Sequence, residues 1–506
     1  MSSVPSEEKK YDLDELALSD GGSTPALALS DSEKDEAVKQ LAEEYNVNQK
    51  SLMWKIDLCV VPPFCLLYFL AFLDRVNISN AKVYGMQTSL GLHGEQFNTA
   101  LTVFFVPYVI FEVVSNYCLK IVKPHLWMSM MIVLFGVVTL ATGFVKNFGG
   151  LVATRVILGF CEAGSFPGIF YIMANFYSKS EAQRRFSIFF SCTSVAGGCG
   201  GAIAYRIYDL NGVHGLEAWQ WIYIIEGTFS AGLGFLLYFL ITDFPEDAKF
   251  LKSNEVKFLK KKLEIYSGNS GFEVKQTVKD VLEVFKDPML YLGALIYFCL
   301  VIPSYSYAYF APTIIKLLGY TAMDAQAHSI YPWLCSLGFS IILAFASDFH
   351  KFRLPYAVVA ACVAIAGLSM ILAGGEHYHV KYGGCFLVAC GLYSSMPIVV
   401  CWISLNFSGH IRKAVGTAFV VGFGNIGGII ASFIFPDKES PDYVKGLGIC
   451  IGFTGLAIVF MFLYYGLLVT RNHKKLTATS LAKWESYDER TRIMKGDLNP
   501  YFRYLY

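Results

Sequence analysis

Charge is scarce in this chain of 506 residues: only 16% are Asp, Glu, Lys or Arg, and they nearly cancel to a formal net charge of +1. Without a basic excess there is no field to hold a phosphate backbone, which excludes nucleic acid as a partner. Paired cysteine is absent as well. None of the thirteen cysteines forms a Cys-x-x-Cys pair, and most, such as Cys59, Cys161, Cys192, Cys299 and Cys401, lie inside apolar runs. They read as small core residues, neither disulfides nor zinc ligands. Residues 1–50, rich in Glu, Asp, Ser and Lys, lack the apolar core of a secretory signal. No nucleophile–base pair is visible, and His377 with His379 makes two metal ligands without a third. Neither an enzyme, a metal nor a cofactor is expected.

Apolar sequence is what the chain has in excess: 55% hydrophobic and 16% aromatic residues, with a mean hydropathy of +0.46. A lipid bilayer as solvent accounts for that excess. From Trp54 onward the residues fall into twelve apolar stretches near the ~20 residues needed to cross a bilayer. They are 55–74, 97–119, 125–145, 149–176, 184–206, 219–241, 289–311, 326–347, 355–374, 381–405, 413–435 and 446–470. Backbone groups in lipid must be satisfied within their own segment, and the alternating ~10-residue runs of a barrel are missing, so an all-α membrane protein is predicted.

Cations set the orientation. Lys120, Lys123, Lys179, Arg184, Arg185, Lys351, Arg353, Arg412 and Lys413 fall on one side, whereas isolated Lys82, Lys146, Arg206, Lys316 and Lys381 fall on the other. The positive-inside rule then places both termini in the cytosol. The expected organisation is a disordered cytosolic tail (1–54), a six-helix half (55–242), a cytosolic loop (243–288), a second six-helix half (289–470) and a cytosolic tail (471–506). The loop carries Lys249, Lys252, Lys257, Lys260, Lys261, Lys262, Lys275 and Lys279 and reads as a solvated connector.

An ionisable residue at mid-bilayer costs ~2.5–3.5 kcal/mol, so each one inside a span is a functional candidate. Asp74 and Arg75 end the first span. In the fourth, Arg155, Gly159 and Glu162 recur at i, i+4 and i+7 on one helix face. These charges fit either a binding site or an ion-pair network between the first and fourth helices. Tyr108 and Glu112 share a face of the second span, Tyr108 as a cavity-lining residue and Glu112 as a helix-packing or charge-network residue with Arg155. Gly422-Phe-Gly-Asn-Ile-Gly427 matches a nucleotide fingerprint but lies in an apolar span without a preceding strand. It reads instead, with the cluster Gly197, Gly198, Gly200 and Gly201, as a surface for close helix approach.

Two halves of six spans joined by a charged loop resemble the major facilitator superfamily, whose halves are repeats around a midplane site. Asp348-Phe-His-Lys-Phe-Arg353 resembles its D-x-x-x-x-R loop motif. Leu73-Asp-Arg-Val-Asn-Ile-Ser-Asn-Ala-Lys82 and Arg155-Val-Ile-Leu-Gly-Phe-Cys-Glu-Ala-Gly-Ser-Phe-Pro-Gly168 resemble the signatures of its anion:cation symporters. Phe105-Val-Pro-Tyr-Val-Ile-Phe-Glu112-Val-Val-Ser-Asn116 and Asn499-Pro-Tyr-Phe-Arg-Tyr-Leu-Tyr506 are similar to the fungal allantoate and nicotinate permease branch. The resemblance implies proton-coupled uptake of a small organic anion such as nicotinate, allantoate or pantothenate at the plasma membrane, by a monomer, with the proton as the only co-substrate. Arg75 would pair with the substrate carboxylate, and Asp74 and Glu162 would carry protons. Tyr305 and Tyr309 on the seventh span, Tyr393 and Trp402 on the tenth, and Asn425 on the eleventh complete the expected cavity. A nutrient sensor would keep the same cavity, but the cytosolic segments here are short for signalling.

Overall fold

The computed structural model describes residues 31–506 except 174, 268–277, 351, 409, 476, 478–481, 483, 485, 488–495 and 501. Residues 1–30 of the expected tail, and the cations Lys275 and Lys351, lie outside the described residues. Among the described residues ten helices are long and apolar enough to cross a bilayer, and two more fill the remaining predicted stretches. In chain order the first half comprises α1 (Gln49–Val83), α2 (Gln96–Ile121), α3 (Pro124–Thr142), α4 (Phe148–Met173), α5 (Lys179–Ile207) and α6 (Ala218–Leu240). The second half comprises α7 (Pro288–Leu317), α8 (Ala322–His350), α9 (Leu354–Ala373), α10 (Tyr378–Asn406), α11 (His410–Ala431) and α12 (Val444–Lys475). Among the described residues there is no strand.

Small residues set how closely these helices pack. A Cβ on Gly227 of α6 would lie 2.3 Å from the backbone nitrogen of Leu140 on α3, and one on Gly391 of α10 would lie 2.3 Å from that of Ala364 on α9. Only glycine permits such crossings in lipid, where van der Waals packing replaces the hydrophobic drive. The halves meet in the same manner. Gly197 of α5 lies against the Trp333 ring of α8 and Gly428 of α11 against Phe105 of α2, while Gly424 of α11 packs on Tyr297 of α7 within the second half. The glycine cluster of α11 thus serves close packing both across the halves, through Gly422 and Gly428, and within the second half, through Gly424 and Gly427.

Three features depart from the sequence reading. First, α1 does not end at Asp74 but continues to Val83, with Asn77, Ser79 and Asn80 fully buried. Its polar residues bond inward: the Ser79 hydroxyl donates to the Tyr309 carbonyl of α7 and the Asn77 amide to Glu226 of α6. Second, α4 is broken. Helix Phe148–Glu162 stops at Ala163, and Ser165–Met173 restarts after Gly164, whose φ of +79° is left-handed. A Cβ there would also come within 2.4 Å of the Ser115 hydroxyl, so glycine serves both the turn and the close approach of α2. Third, the polar flanks are folded. Asp31–Glu44 is a helix burying Ala37, Val38 and Leu41, although the tail was expected to be disordered. The cationic loop contains helix Ser253–Ser267, which buries Phe258, Leu259 and Ile265. Its Lys262, 1% exposed, pairs with Glu181 at the start of α5 at 2.6 Å, so this part of the loop is docked rather than solvated.

Candidate functional site

Arg75 sits where the halves meet. It is 6% exposed and reaches three helices at once. One guanidinium nitrogen donates to the Tyr305 hydroxyl of α7, another pairs with Glu162 of α4, and the plane lies over the Tyr108 ring of α2 at 4.9 Å and the Phe104 ring at 5.5 Å. Such a planar, permanently charged fork presents parallel donors that match a carboxylate. Among the described residues Glu162 has no polar contact other than this guanidinium. The position of Glu162 on the last turn before the Gly164 break leaves its side chain on the end of a half-helix rather than in a continuous rod.

Tyr305 stacks on Tyr309 with centroids 5.7 Å apart, and Phe105 of α2 packs edge-on against Tyr305 at 5.1 Å. Tyr393 of α10 is buried nearby, between Phe72 of α1 at 6.1 Å and Trp333 of α8 at 4.6 Å, with its hydroxyl donating to the Ser304 carbonyl at 2.9 Å. Asn425 of α11 is buried next to Gly424, which packs on the Tyr297 ring. The structure brings Arg75, Glu162, Tyr108, Tyr305, Tyr309 and Tyr393 into one neighbourhood.

Trp402 does not join them. Its indole nitrogen donates to the Leu505 carbonyl at 2.9 Å and its ring packs edge-on to Tyr464 of α12 at 5.0 Å. Lying at the far end of α10, it anchors residues 502–506 instead of lining the centre. The expected network of Glu112 with Arg155 is not formed either. Arg155 donates to the Tyr223 hydroxyl of α6 at 2.9 Å, whereas Glu112, 2% exposed, faces Gly422 of α11. Asp74 and Arg75, although adjacent, point to different partners: Asp74 accepts from Thr139 of α3 at 3.0 Å. The four charges of α1 and α4 thus separate into a central pair, Arg75 with Glu162, and a peripheral group inside the first half.

That peripheral group contains a residue the sequence reading missed. Glu226 of α6, 3% exposed, bonds to Asn77 of α1. The signal was present, since Glu226 is an acid in the apolar run Trp221-Ile-Tyr-Ile-Ile-Glu226. A second missed feature closes one face of the centre. Lys82 at the end of α1 pairs with Asp437 between α11 and α12 at 2.9 Å, and Gln87 donates to the same carboxylate at 2.9 Å. On the opposite face Arg184 of α5 lies 3.9 Å from Asp348 of α8, which is also 3.8 Å from Arg353. Both faces thus carry an ion pair spanning the two halves.

The sequence profile of the Major Facilitator Superfamily matches residues 64–432. The chain belongs to this superfamily. It is 33% identical over 397 residues to an uncharacterized transporter of Schizosaccharomyces pombe, covering 78% of this chain and 79% of that one. It is 30% identical over 465 residues to the high-affinity nicotinic acid transporter of Saccharomyces cerevisiae, covering 90% and 85%. The fold matches that of the proton:xylose symporter XylE with a TM-score of 0.65 over 82% of this chain and 96% of the other, at 15% identity. Its relatives and its fold are those of Major Facilitator transporters, not enzymes.

Proposed function

We propose that this protein takes up a small organic anion together with protons, and that Arg75 binds the substrate carboxylate. The observation that carries the reading is the placement of Arg75: a guanidinium between the halves whose one ion pair among the described residues is with Glu162. A substrate carboxylate entering the centre competes with Glu162 for the same fork. When the substrate wins, Glu162 is left in an apolar setting without a cation, and binding a proton removes that buried charge. Anion binding and proton uptake are then one event, and release to the other side reverses both. Tyr108, Tyr305, Tyr309 and Tyr393 supply aromatic faces suited to a ring carboxylate. The similarity to a nicotinic acid transporter favours nicotinate among the candidates, ahead of allantoate and pantothenate. The plasma membrane, a monomeric state and cytosolic termini belong to the same reading, as does the proton as sole co-substrate.

Uptake of labelled nicotinate, allantoate and pantothenate into proteoliposomes tests this. An inward proton gradient should drive accumulation of at least one acid, a protonophore should abolish it, and Glu162→Gln should bind that acid without accumulating it. Accumulation that survives the protonophore overturns proton coupling. A thermal-shift screen in which no anion stabilises the protein, or in which stabilisation persists in Arg75→Ala, overturns the assignment of Arg75.

A further inference from the structure

Among the described residues, four carboxyls (Asp74, Glu112, Glu162, Glu226) and two guanidiniums (Arg75, Arg155) are buried within the spans of the first half. With every group charged, two negative charges stand uncompensated in an apolar medium, which proteins avoid by protonating the acid. Of the four carboxyls, only Glu162 makes an ion pair among the described residues; Glu226, like Asp74 and Glu112, makes none. The bonded neighbour of Glu226 is neutral Asn77. The charged and titratable groups around it are known from every side. Asp74 lies one turn before Asn77 on α1, Cys199 faces it from α5, and Tyr223 one turn earlier on α6 holds Arg155 of α4. α3, crossing α6 at Gly227, carries no ionisable residue after His125.

The hydrogen bonding of the pair is half complete. The Asn77 amide nitrogen donates to Glu226 Oε2, while Asn77 Oδ1 and Glu226 Oε1 are both buried without a partner. Asn77 Oδ1 can only accept, and an ionised carboxylate can only accept, so an ionised pair leaves an acceptor facing no donor. A proton on Glu226 supplies the missing donor and turns the pair into a reciprocal acid–amide couple. Asn77 and the substrate-site residue Arg75 lie on the same helix, so a movement of α1 against α6 breaks the couple and exposes the acid.

We propose that Glu226 is a second proton-carrying residue, holding its proton against Asn77 in the conformation seen here and exchanging it when α1 moves away from α6. This rests on the proton-coupled reading above and extends it. With Glu162 and Glu226 both loaded, a monoanion travels with two protons and its transport moves net positive charge. Removing Glu226 leaves one proton per anion and no net charge.

The test uses the full chain in proteoliposomes with nicotinate as probe, at fixed proton gradient and with a potassium-diffusion potential imposed. Wild-type uptake should rise several-fold with an inside-negative potential, and Glu226→Gln should retain uptake that no longer responds to potential. A Glu226→Gln protein as potential-sensitive as the wild type overturns the proposal. A ligand-free measurement covers a variant that fails to transport: the infrared carbonyl band of a protonated carboxyl in purified protein at pH 7.5 should be lost in Glu226→Gln and shifted in Asn77→Ala, and a band unchanged in both overturns it. Wild-type uptake indifferent to the proton gradient and to potential would sink the symport reading itself, and the infrared result would still decide whether Glu226 holds a proton.

Discussion

The two halves share an architecture but divide the chemistry. Each closes on a pair of helices crossing at glycine, α3 with α6 and α9 with α10. Within their spans they differ. The first half buries four acids and two arginines along its helices, whereas the buried charges of the second, Asp287, Arg353, Arg412 and Lys475, lie at helix ends. At the centre the second half offers phenols, indoles and amides. The buried charges within the spans are thus gathered in the first half, and the second supplies shape, aromatic faces and single hydrogen bonds. A rocking movement between units then alters one set of contacts to Arg75, those from α7, while its contact with Glu162 moves with it.

The largest effect that would sharpen this division is expected at Arg75. Arg75→Lys keeps the charge but loses the planar fork that serves Tyr305 and Glu162 together, and uptake should fall about 100-fold, the equivalent of the stronger end of a charged hydrogen bond. Retention of full uptake would remove the fork from the mechanism. Next comes its partner across the interface. Tyr305→Phe keeps the stacking on Tyr309 and deletes one donor–acceptor contact, so uptake should fall about 10-fold, chiefly through substrate affinity. A Tyr305→Phe loss as large as that of Arg75→Lys would break the comparison, because it would place indispensable chemistry in the second half.

A third measurement separates stability from transport within the second half. Asn406 of α10, fully buried, accepts from the Leu505 nitrogen at 2.7 Å and donates to the Leu505 carbonyl at 3.0 Å. Asn406→Ala strands the Leu505 nitrogen and leaves the Leu505 carbonyl to Trp402 alone, and should destabilise the protein by about 1–3 kcal/mol, read as a lowered Tm in detergent. Nicotinate affinity should be unchanged in Asn406→Ala and in Trp402→Phe, since both residues hold residues 502–506 rather than the centre. Weakened binding in either variant would return Trp402 to the cavity.

What the sequence disclosed follows the energetics of burial. Asp74, Arg75, Arg155 and Glu162 stood out because an ionisable residue inside an apolar run is costly and needs a reason. The twelve stretches stood out because length against bilayer thickness is a one-dimensional property. Partner choice is not one-dimensional. Asp74 and Arg75 looked like the end of a span because polar residues follow them, and only distant groups, Glu226 in α6 and the Tyr309 carbonyl in α7, allow α1 to continue through Asn77 and Ser79. Trp402 carried no mark of which end of α10 it serves, since its partner Leu505 is 103 residues further on. Glu226 carried the same signal as Glu162 but stood in no recognisable motif.

The smallest expected effect lies at the ion pair that spans the halves on the face opposite the docked helices. Asp437 is partly buried, which by itself pushes its carboxyl up, yet hydrogen bonds from Lys82 and Gln87 and the charge of Lys82 hold it below its ordinary value of 3.8. A depressed carboxylate contributes stability that is fully present above its unfolded value and is lost as pH falls through the folded one. The contact therefore persists at the mildly acidic pH where uptake would be driven, and acid alone does not open this face. Asp437 is 48% exposed, so screening keeps the contribution small. Asp437→Asn should shift the balance modestly toward the state open on this face, changing uptake about two-fold and raising the labelling rate of a cysteine placed on the facing surface of α7. Equal labelling in the two proteins at pH 5.5 and 7.5 would mean that Lys82 and Asp437 merely lie together, and that other contacts between the halves, the Ser79 and Lys316 hydrogen bonds and the packing of Phe105 on Tyr305 and Tyr309, hold them closed there.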